Sequence, residues 1–366
     1  MKSKVAVVKV KDNDIYSTIE NALKLIDFDY SKLKDIIIKP NLVSASDPNE
    51  GKTTSPELID AVVRLFKIKK TGIGESIPYT AYGKEYLLKK TGINEVCNKN
   101  RIEFNQFEKM EQEIITIPNN IGKISVPKLL SKNSVINVPK LKIHLHSKIK
   151  MSCCIKNMFG CVSGIQKSLI HTKTKEKKEF FETLLLIYDK LKPILNIVDA
   201  INVYDIEPGK GNKINLGYIV VGEDGVAVDT VISKLISINE DKIALLKIAK
   251  ELKIGISNIN DIEILGEDID KIKTKFNFAN RTRRKYFSIM ANLRNRYISK
   301  FIKPRIKGEI EDKCIDECPT KSIERKSINY KTCIKCEHCL YTSNNIYFEN
   351  NVLTKIRNIL HKKSNL

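Results

Sequence analysis

Five cysteines near the carboxyl end of the chain have the most informative spacing. The first two are Cys314 and Cys318, and a proline directly follows the second of them. Further along, Cys333, Cys336 and Cys339 recur at every third position. Closely spaced thiolates of this kind bind iron–sulfur clusters or zinc, and a proline after the last cysteine of a run is typical of cluster-binding motifs.

The pattern corresponds to two copies of the ferredoxin motif C-x2-C-x2-C-x3-C-P, one of which is incomplete. In two-cluster proteins the fourth cysteine of each copy binds the cluster of the other copy. One cluster would then require cysteines at positions 308, 311, 314 and 343, and only Cys314 is present. The other cluster has all its ligands: Cys318, Cys333, Cys336 and Cys339. The spacing therefore predicts one [4Fe-4S] cluster, with a structural zinc site as the alternative.

A second group of reactive side chains lies in residues 139–171, where lysines and histidines recur. Lysine ammonium groups bind carboxylate or phosphate, and a histidine among them can carry a proton. We therefore predict an anionic substrate, with the catalytic candidates Lys140, His144, Lys156 and His171. The candidates for substrate binding are Lys39, Asn41, Lys142, Asn157, Lys167, Asp199 and Asp229. Either of the two aspartates is expected to orient a lysine, a histidine or a metal ion.

Three further cysteines occur in the same stretch: Cys153, Cys154 and Cys161. Metal ligation and redox chemistry are two possible roles for them. Their apolar neighbours, such as Ile155 and Phe159, favour a third interpretation, in which they are small buried hydrophobic side chains.

The elements that would position these groups alternate between strands and helices, which is typical of an α/β layer fold. β-Branched runs predict strands at residues 5–10, 35–38, 71–74, 134–138, 195–198 and 217–221. Apolar residues at helical spacing predict three helices, which begin at Asn13 or Asp14, after Ser55 and after Asp224. Ligands bind at the carboxyl ends of strands in open α/β sheets, so the polar residues there are expected to converge on one edge. The predicted architecture is a mostly parallel, layered sheet domain followed by a small α+β ferredoxin-like module.

Composition and charge divide the chain further. With 366 residues, 42% of them hydrophobic, it can form a sizeable core. We predict an α/β domain at 1–275, a basic amphipathic helix at 281–306, the cysteine module at 307–350 and a basic tail at 351–366. Residues 281–307 hold ten lysines or arginines and no acidic residue.

The net charge of +21 predicts an acidic partner. The candidates are an electron carrier such as ferredoxin or flavodoxin, nucleic acid, or an anionic membrane surface. The first residues lack the apolar region of a signal peptide, and the longest apolar runs are too short to span a bilayer. We therefore expect a cytoplasmic protein.

Short motifs in a fixed order run through the first 240 residues. They are Lys-Pro-Asn-Leu at 39–42, Leu-Lys-Lys-Thr-Gly-Ile at 88–93, Val-Pro-Lys-Leu-Lys-Ile-His at 138–144, Ile-Lys-Asn-Met-Phe-Gly at 155–160, Lys167 with His171, Asn-Ile-Val-Asp at 196–199 and Ala-Val-Asp at 227–229. In these motifs the chain resembles the iron–sulfur-associated domain of unknown function 362 family. Members often carry a C-terminal two-cluster ferredoxin module, so the resemblance implies a single α/β domain with such a module. It implies no particular reaction, and the missing cysteines at 308, 311 and 343 make electron transfer between two clusters unexpected here.

Together these features predict a redox enzyme that binds an anionic organic substrate and exchanges electrons with it through one cluster. Two alternatives stay open: an electron-transfer or redox-sensing protein without its own turnover, and a nucleic-acid-associated protein with a structural cluster. The enzyme hypothesis expects Lys140→Ala or His144→Ala to abolish function while the fold and the cluster stay intact.

Overall fold

Eight strands form the central sheet of the larger of two compact units, which comprises residues 1–164 and 174–277. The structure is a computed structural model that describes residues 2–78, 83–144, 149–174, 176–209, 211–272, 304–316, 318, 320–333, 339 and 343–348. In order across the sheet, the strands are β12 (Ile262–Gly266), β1 (Ser3–Lys9), β11 (Lys213–Gly222), β10 (Leu195–Tyr204), β7 (Ser134–Val138), β2 (Ile36–Pro40), β3 (Thr71–Glu75) and β4 (Phe104–Gln106).

Most neighbouring strands in this sheet run parallel. The parallel pairs are β12–β1, β10–β7, β7–β2, β2–β3 and β3–β4. Only β11, among the described strands of the sheet, runs antiparallel to both of its neighbours. The mostly parallel α/β class predicted from the sequence is therefore confirmed.

Helices cover both faces of the sheet, and each face has its own apolar core. One face packs against α1 (Ile15–Leu25), α2 (Pro56–Phe66), α3 (Lys84–Lys90) and α4 (Ile93–Asn100). The other packs against α6 (Cys154–Asn157), α8 (Lys177–Leu191), α9 (Gly225–Leu235) and α10 (Ala244–Leu252). Because side chains alternate along a strand, residues two apart share a face, and this alternation separates the two cores.

The three predicted helix starts are correct. The Asp14 carboxylate accepts the Ser17 N–H at 3.0 Å, and the Asp224 carboxylate accepts the Val226 N–H at 2.8 Å, as N-caps do. Ser55 is the residue before α2, but its hydroxyl makes no such bond.

The remaining elements of this unit are short. They are two hairpins, β5 (Gln112–Ile117) with β6 (Gly122–Pro127) and β8 (Lys142–His144) with β9 (Lys150–Ser152), the helix α5 (Leu129–Lys132) and the 3-10 turns Tyr30–Lys32, Pro48–Glu50, Phe107–Lys109, Met158–Cys161, Glu240–Lys242 and Ile259–Asp261. Of these, β8 and α6 carry residues of the site described below.

One predicted strand end is wrong. The sequence placed Asp199 at the end of a strand over 195–198, but β10 continues to Tyr204, with a register shift between Ala200 and Asn202. A buried aspartate interrupts most strands, since its charge has no partner there. Here Asp199 has three partners, the Lys140 ammonium group and the N–H groups of Ser55 and Ile201, so the strand continues past it.

The smaller unit comprises residues 165–173 and 278–366. Its described elements are α7 (Gly164–Lys173), α11 (Asp312–Asp316) and the antiparallel pair β13 (Pro304–Ile306) and β14 (Ile346–Phe348). The predicted basic helix at 281–306 lies outside the described residues except for 304–306, which form β13, and so does the predicted tail at 351–366. In the described part of the chain, no helix has the length and apolar character needed to cross a bilayer.

Candidate functional site

Two buried ion pairs lie at the carboxyl ends of the central parallel strands. Lys39 Nζ on β2 lies 2.6 Å from Glu75 Oε2, at the end of β3. Lys140, just after β7, places its Nζ 2.7 Å from Asp199 Oδ1 on β10. All four side chains are at most 5% exposed. The strand-end rule thus correctly predicted that these lysines meet at one edge of the sheet.

Further contacts hold each pair in place, which matters because burying charge is costly unless every polar atom is satisfied. Lys39 Nζ also donates to the Pro40 carbonyl at 2.9 Å, and Asp199 Oδ2 accepts the Ser55 N–H at 2.9 Å. The backbone at Gly160 closes over the first pair. A Cβ there would lie 2.5 Å from Lys39 Nζ and from Glu75 Oε1, so glycine is required at this position.

Four asparagine side chains form a hydrogen-bonded chain beside these ion pairs. Asn41 Nδ2 donates to Asn157 Oδ1 at 2.9 Å, and Asn157 Nδ2 donates to Asn137 Oδ1 at 2.7 Å. Asn137 Nδ2 then donates to Asn196 Oδ1 at 2.8 Å, which links β7 to β10. Asn196 Nδ2 donates to the Glu223 carbonyl at 3.1 Å. The chain of amides fixes α6 against the ends of the strands.

Asn137 and Asn196 were not predicted as site residues. Both are fully buried, and each has β-branched residues beside it in its strand. An amide in such a strand needs hydrogen-bonding partners, so its presence in a run of β-branched residues was the signal that could have identified it.

Lys142 and Lys156 differ from the two paired lysines. Neither makes an ion pair with any described carboxylate. Lys142, on β8, is 7% exposed, and Lys156, on α6, is half-buried. Burial, and secondarily the nearby Lys156 ammonium group, lower the pKa of Lys142 to about 7. Burial also lowers the pKa of Lys156.

His144 lies two residues after Lys142 on the same strand, so both side chains share one face of β8. Its Nε2 atom is buried and has no hydrogen-bond partner among the described residues. Burial lowers its pKa to about 3, with smaller contributions from Lys156 and Lys142. The imidazole is therefore neutral at physiological pH, with one ring nitrogen as hydrogen-bond donor and the other as acceptor.

Buried polar atoms without partners mark the same region. In the described part of the chain these atoms are His144 Nε2, Asn41 Oδ1, Thr53 Oγ1 and Ser55 Oγ. The last three belong to residues 41–55, in which the Asn41 N–H donates to Thr54 Oγ1 and the Ser55 N–H donates to Asp199 Oδ2. Since native proteins satisfy nearly all buried polar atoms, a group of exceptions beside charged side chains indicates a ligand site.

The charges of the site do not balance. The ammonium groups of Lys39, Lys140, Lys142 and Lys156 outnumber the two carboxylates of Glu75 and Asp199. If every group is ionised, two positive charges remain in a largely buried space. An anion such as a carboxylate or a phosphate would neutralise them.

Asp229 was predicted to orient a lysine, a histidine or a metal ion, and the hydrogen bonds that the structure gives its carboxylate go to backbone. Its buried carboxylate accepts the N–H groups of Cys154 at 2.8 Å and Ile155 at 3.3 Å, so it holds the first turn of α6. It orients backbone rather than a lysine or a histidine. Burial raises its pKa to about 6.

The cysteines beside Asp229 fit the interpretation as buried hydrophobic side chains. Cys153, Cys154 and Cys161 are at most 2% exposed. Burial raises the pKa of Cys153 to about 11 and that of Cys154 well above its usual value, so these thiols stay protonated. The ligand atoms of Cys153, Cys154 and Asp229 lie within 4.8 Å of one another, but the Asp229 carboxylate is already bonded to the backbone.

Lys167 and His171 lie on α7, which belongs to the smaller unit. Their predicted roles beside the other lysines stay predictions.

The described cysteines of the C-terminal module share one small apolar core. Cys314, Cys318 and Cys339 are at most 8% exposed, and the half-buried Cys333 packs against them. Cys318 Sγ accepts the Ser322 N–H at 3.3 Å, a contact that suits a cluster-bound thiolate. Three of the four predicted ligands therefore belong to one small core, Cys336 lies outside the described residues, and cluster binding by this set stays a prediction.

Polar side chains occupy two of the positions at which a second cluster would need cysteines. Glu311 and Ser343 hydrogen-bond to each other, and this bond lowers the pKa of Glu311. The Ser343 hydroxyl also accepts the Asn345 N–H at 3.0 Å. Polar side chains thus interact at two of the places where a second cluster would need cysteines.

Comparison with known proteins gives the following similarities. Residues 36–234 match the sequence profile of the domain of unknown function DUF362. A thylakoid-associated protein of Synechocystis sp. is 25% identical over 244 residues, which cover 63% of this chain and 74% of that protein. The lactate racemase apoprotein from Thermoanaerobacterium thermosaccharolyticum superimposes with a TM-score of 0.41 and 15% identity, over 61% of this chain and 54% of that one. The chain thus spans about half the length of the racemase. Because the profile covers more than half of the sequence, the chain belongs to the DUF362 family.

Proposed function

We propose that this protein is an iron–sulfur enzyme that binds an anionic organic substrate at the lysine site of its α/β domain. The observation that carries the proposal is the pair Lys142 and Lys156, two buried or half-buried lysines without a carboxylate partner among the described residues. Unpaired charge of this kind is costly to keep inside a protein unless a ligand compensates for it. The family alone supplies no reaction.

We assign each residue of the site a separate contact with the ligand. Lys142 and Lys156 contact the anionic group, while the ion-paired Lys39 and Lys140 form fixed walls around it. The unpartnered hydroxyl groups of Thr53 and Ser55 can donate hydrogen bonds to the ligand, and Asn41 Oδ1 can accept one. His144 Nε2 provides the proton carrier.

The C-terminal module would hold the [4Fe-4S] cluster through Cys318, Cys333, Cys336 and Cys339. When bound, such a cluster supplies or accepts one electron at a time. We propose that the electrons come from an acidic carrier such as a ferredoxin or flavodoxin, because a net charge of +21 favours an acidic partner. Ligand thiols also suit a reducing compartment such as the cytoplasm.

Anion binding can be tested by thermal unfolding of the anaerobically purified full chain with oxalate, succinate or phosphate. A ligand that binds only the folded protein raises the melting temperature. We expect at least one of these anions to do so, and Lys156→Met to weaken its binding at least tenfold. The exposed Lys247, on α10, provides the matched control, so Lys247→Met should bind as the wild type does. Equal binding by all three proteins would overturn the proposed site.

The cluster assignment has its own test in the iron and sulfide content of two serine variants. Cys318→Ser is expected to lose the cluster, because Cys318 is the ligand contributed by the first motif copy. Cys314→Ser should keep it, since Cys314 belongs to the set whose other ligands are missing. Equal loss in both variants would contradict the crossed assignment. Zinc in place of iron would contradict the redox function.

A further inference from the structure

Lys142 occupies an unusual position for a lysine that only binds an anion. It is 7% exposed, whereas the partly exposed Lys156 retains contact with water. The charged groups that face Lys142 are three lysines and one carboxylate: Lys156, Lys39, Lys140 and Glu75. The carboxylate is already paired with Lys39 at 2.6 Å.

These surroundings favour an uncharged amine. Loss of water and the neighbouring ammonium groups both disfavour a positive charge, and together they bring the pKa of Lys142 to about 7. A large share of the molecules then carries a neutral amine with an available electron pair at physiological pH. An amine buried beside other cations is a recurrent design for nucleophilic lysines.

A proton carrier lies on the same strand. His144 shares a face of β8 with Lys142, and its Nε2 atom is buried without a partner among the described residues. Its electrostatic neighbours are Lys156 and Lys142 themselves. A neutral imidazole in this place can take a proton from an attacking amine and return it to a leaving hydroxyl group.

We propose that Lys142 is a nucleophile that forms an imine with the carbonyl group of an oxo acid. Its nitrogen attacks the carbonyl carbon, and His144 moves a proton from nitrogen to the carbonyl oxygen to give the carbinolamine. The carbon–oxygen bond then breaks and water leaves with both amine protons, so no oxidant or reductant is needed. The Lys156 ammonium group holds the carboxylate of the same molecule.

The substrate class follows from the two lysines. Lys142 pairs across the β8–β9 hairpin with Ser152, and Lys156 follows on α6 only four residues later, so a ligand that contacts both lysines must carry its two groups close together. A 2-oxo acid, with its carboxylate next to the carbonyl group, has this arrangement. This inference rests on the proposed anion site and specifies its ligand.

The test is reductive trapping on the full chain. The protein is incubated anaerobically with glyoxylate, pyruvate or 2-oxoglutarate and cyanoborohydride, which reduces an imine to a stable secondary amine. Peptide mass spectrometry then locates the adduct. We expect at least tenfold more labelling of Lys142 than of any exposed lysine at pH 7, and half-maximal labelling near pH 7. Lys247→Met should label as the wild type does, and Lys142→Met should lose the dominant adduct.

Two outcomes overturn the inference, and they differ in what they leave standing. If an oxo acid raises the melting temperature but Lys142 stays unlabelled, the lysine is not a nucleophile and the anion site remains valid. If labelling spreads evenly over exposed lysines, and neither the oxo acids nor the simple anions change the melting temperature, the anion site fails as well. Loss of labelling in Lys156→Met together with weaker binding would support the role of Lys156 in holding the carboxylate.

Discussion

The lysines of the site fall into two regions with different physical roles. At the ends of β2 and β7, Lys39 and Lys140 each contact a buried carboxylate and are locked by further hydrogen bonds. On β8 and α6, Lys142 and Lys156 have no described carboxylate partner. Lys142 is nearly as buried as the two paired lysines, so what separates it from them is the missing counter-charge.

The counter-charge separates lysines that stabilise the fold from lysines that are available to a ligand. A paired lysine stabilises the protein only together with its partner. Its removal leaves a buried carboxylate without a counter-charge. An unpaired buried lysine lowers the stability of the ligand-free protein, as functional sites commonly do. Replacement of each kind should therefore change stability in opposite directions.

The largest effect is expected from Lys140→Met. The substitution leaves the Asp199 carboxylate without its ammonium partner at 2.7 Å, and we expect a loss of about 3–5 kcal/mol in the free energy of unfolding. Denaturant unfolding at pH 7 measures the change. The double variant Lys140→Met with Asp199→Asn should recover part of the loss. No loss in the single variant would show that the pair does not support the fold. The sequence-based expectation that Lys140→Ala leaves the fold intact is thereby revised.

Lys142→Met should instead stabilise the protein, by on the order of 4 kcal/mol near pH 7. The folded pKa of about 7 lies below the unfolded value of 10.5, so the folded state is penalised wherever the unfolded chain holds the proton. The penalty is complete below pH 7 and disappears as the pH rises to 10.5. Burial is the main cause of this lowered pKa; the neighbouring Lys156, Lys39 and Lys140 lower it further, and Glu75 opposes them. Unfolding of both proteins across this pH range checks the sign, and a destabilised variant at pH 7 would contradict it.

A smaller loss is expected from Gly160→Ala, about 1–3 kcal/mol, because the new Cβ would lie 2.5 Å from both Lys39 Nζ and Glu75 Oε1. The buried ion pair must shift to make room. Gly164→Ala is a matched control, since its Cβ would meet its nearest atom, Glu108 Oε1, only at 3.6 Å. Thermal unfolding of the two variants compares them. Equal stability would mean that the Lys39–Glu75 pair adapts without cost.

Much of the fold was predictable because it depends on local patterns. The strands β1, β2, β3 and β7 and the three predicted helix starts follow from apolar periodicity and capping residues. The continuation of β10 past Asp199 was not predictable, since it depends on Lys140, which is distant in the sequence. Whether a strand continues past a buried charge depends on partners that the sheet brings together. The spacing of residues along the chain does not identify those partners.

The candidate site was predictable in its residues but not in their roles. The strand-end rule placed Lys39 and Lys140 at one edge of the sheet, where each forms a buried ion pair, whereas Asp199 reaches Lys140 from within β10. No sequence pattern distinguishes a lysine with a carboxylate partner from one without, because the partners lie on other strands. The sequence likewise left the partner of Asp229 open between a lysine, a histidine and a metal ion, and in the structure its carboxylate accepts the Cys154 N–H of α6.

The most direct test of the unpaired lysine site is the ionisation of Lys142 itself. Lysines labelled with 13C at Cε report the protonation of their amines in NMR titrations, and Lys142→Met identifies the resonance of interest. We predict that this resonance titrates near pH 7 in the ligand-free protein and moves to higher pH when oxalate is added. A resonance that titrates with the exposed lysines, near about pH 10.4, and does not respond to anions would contradict the account.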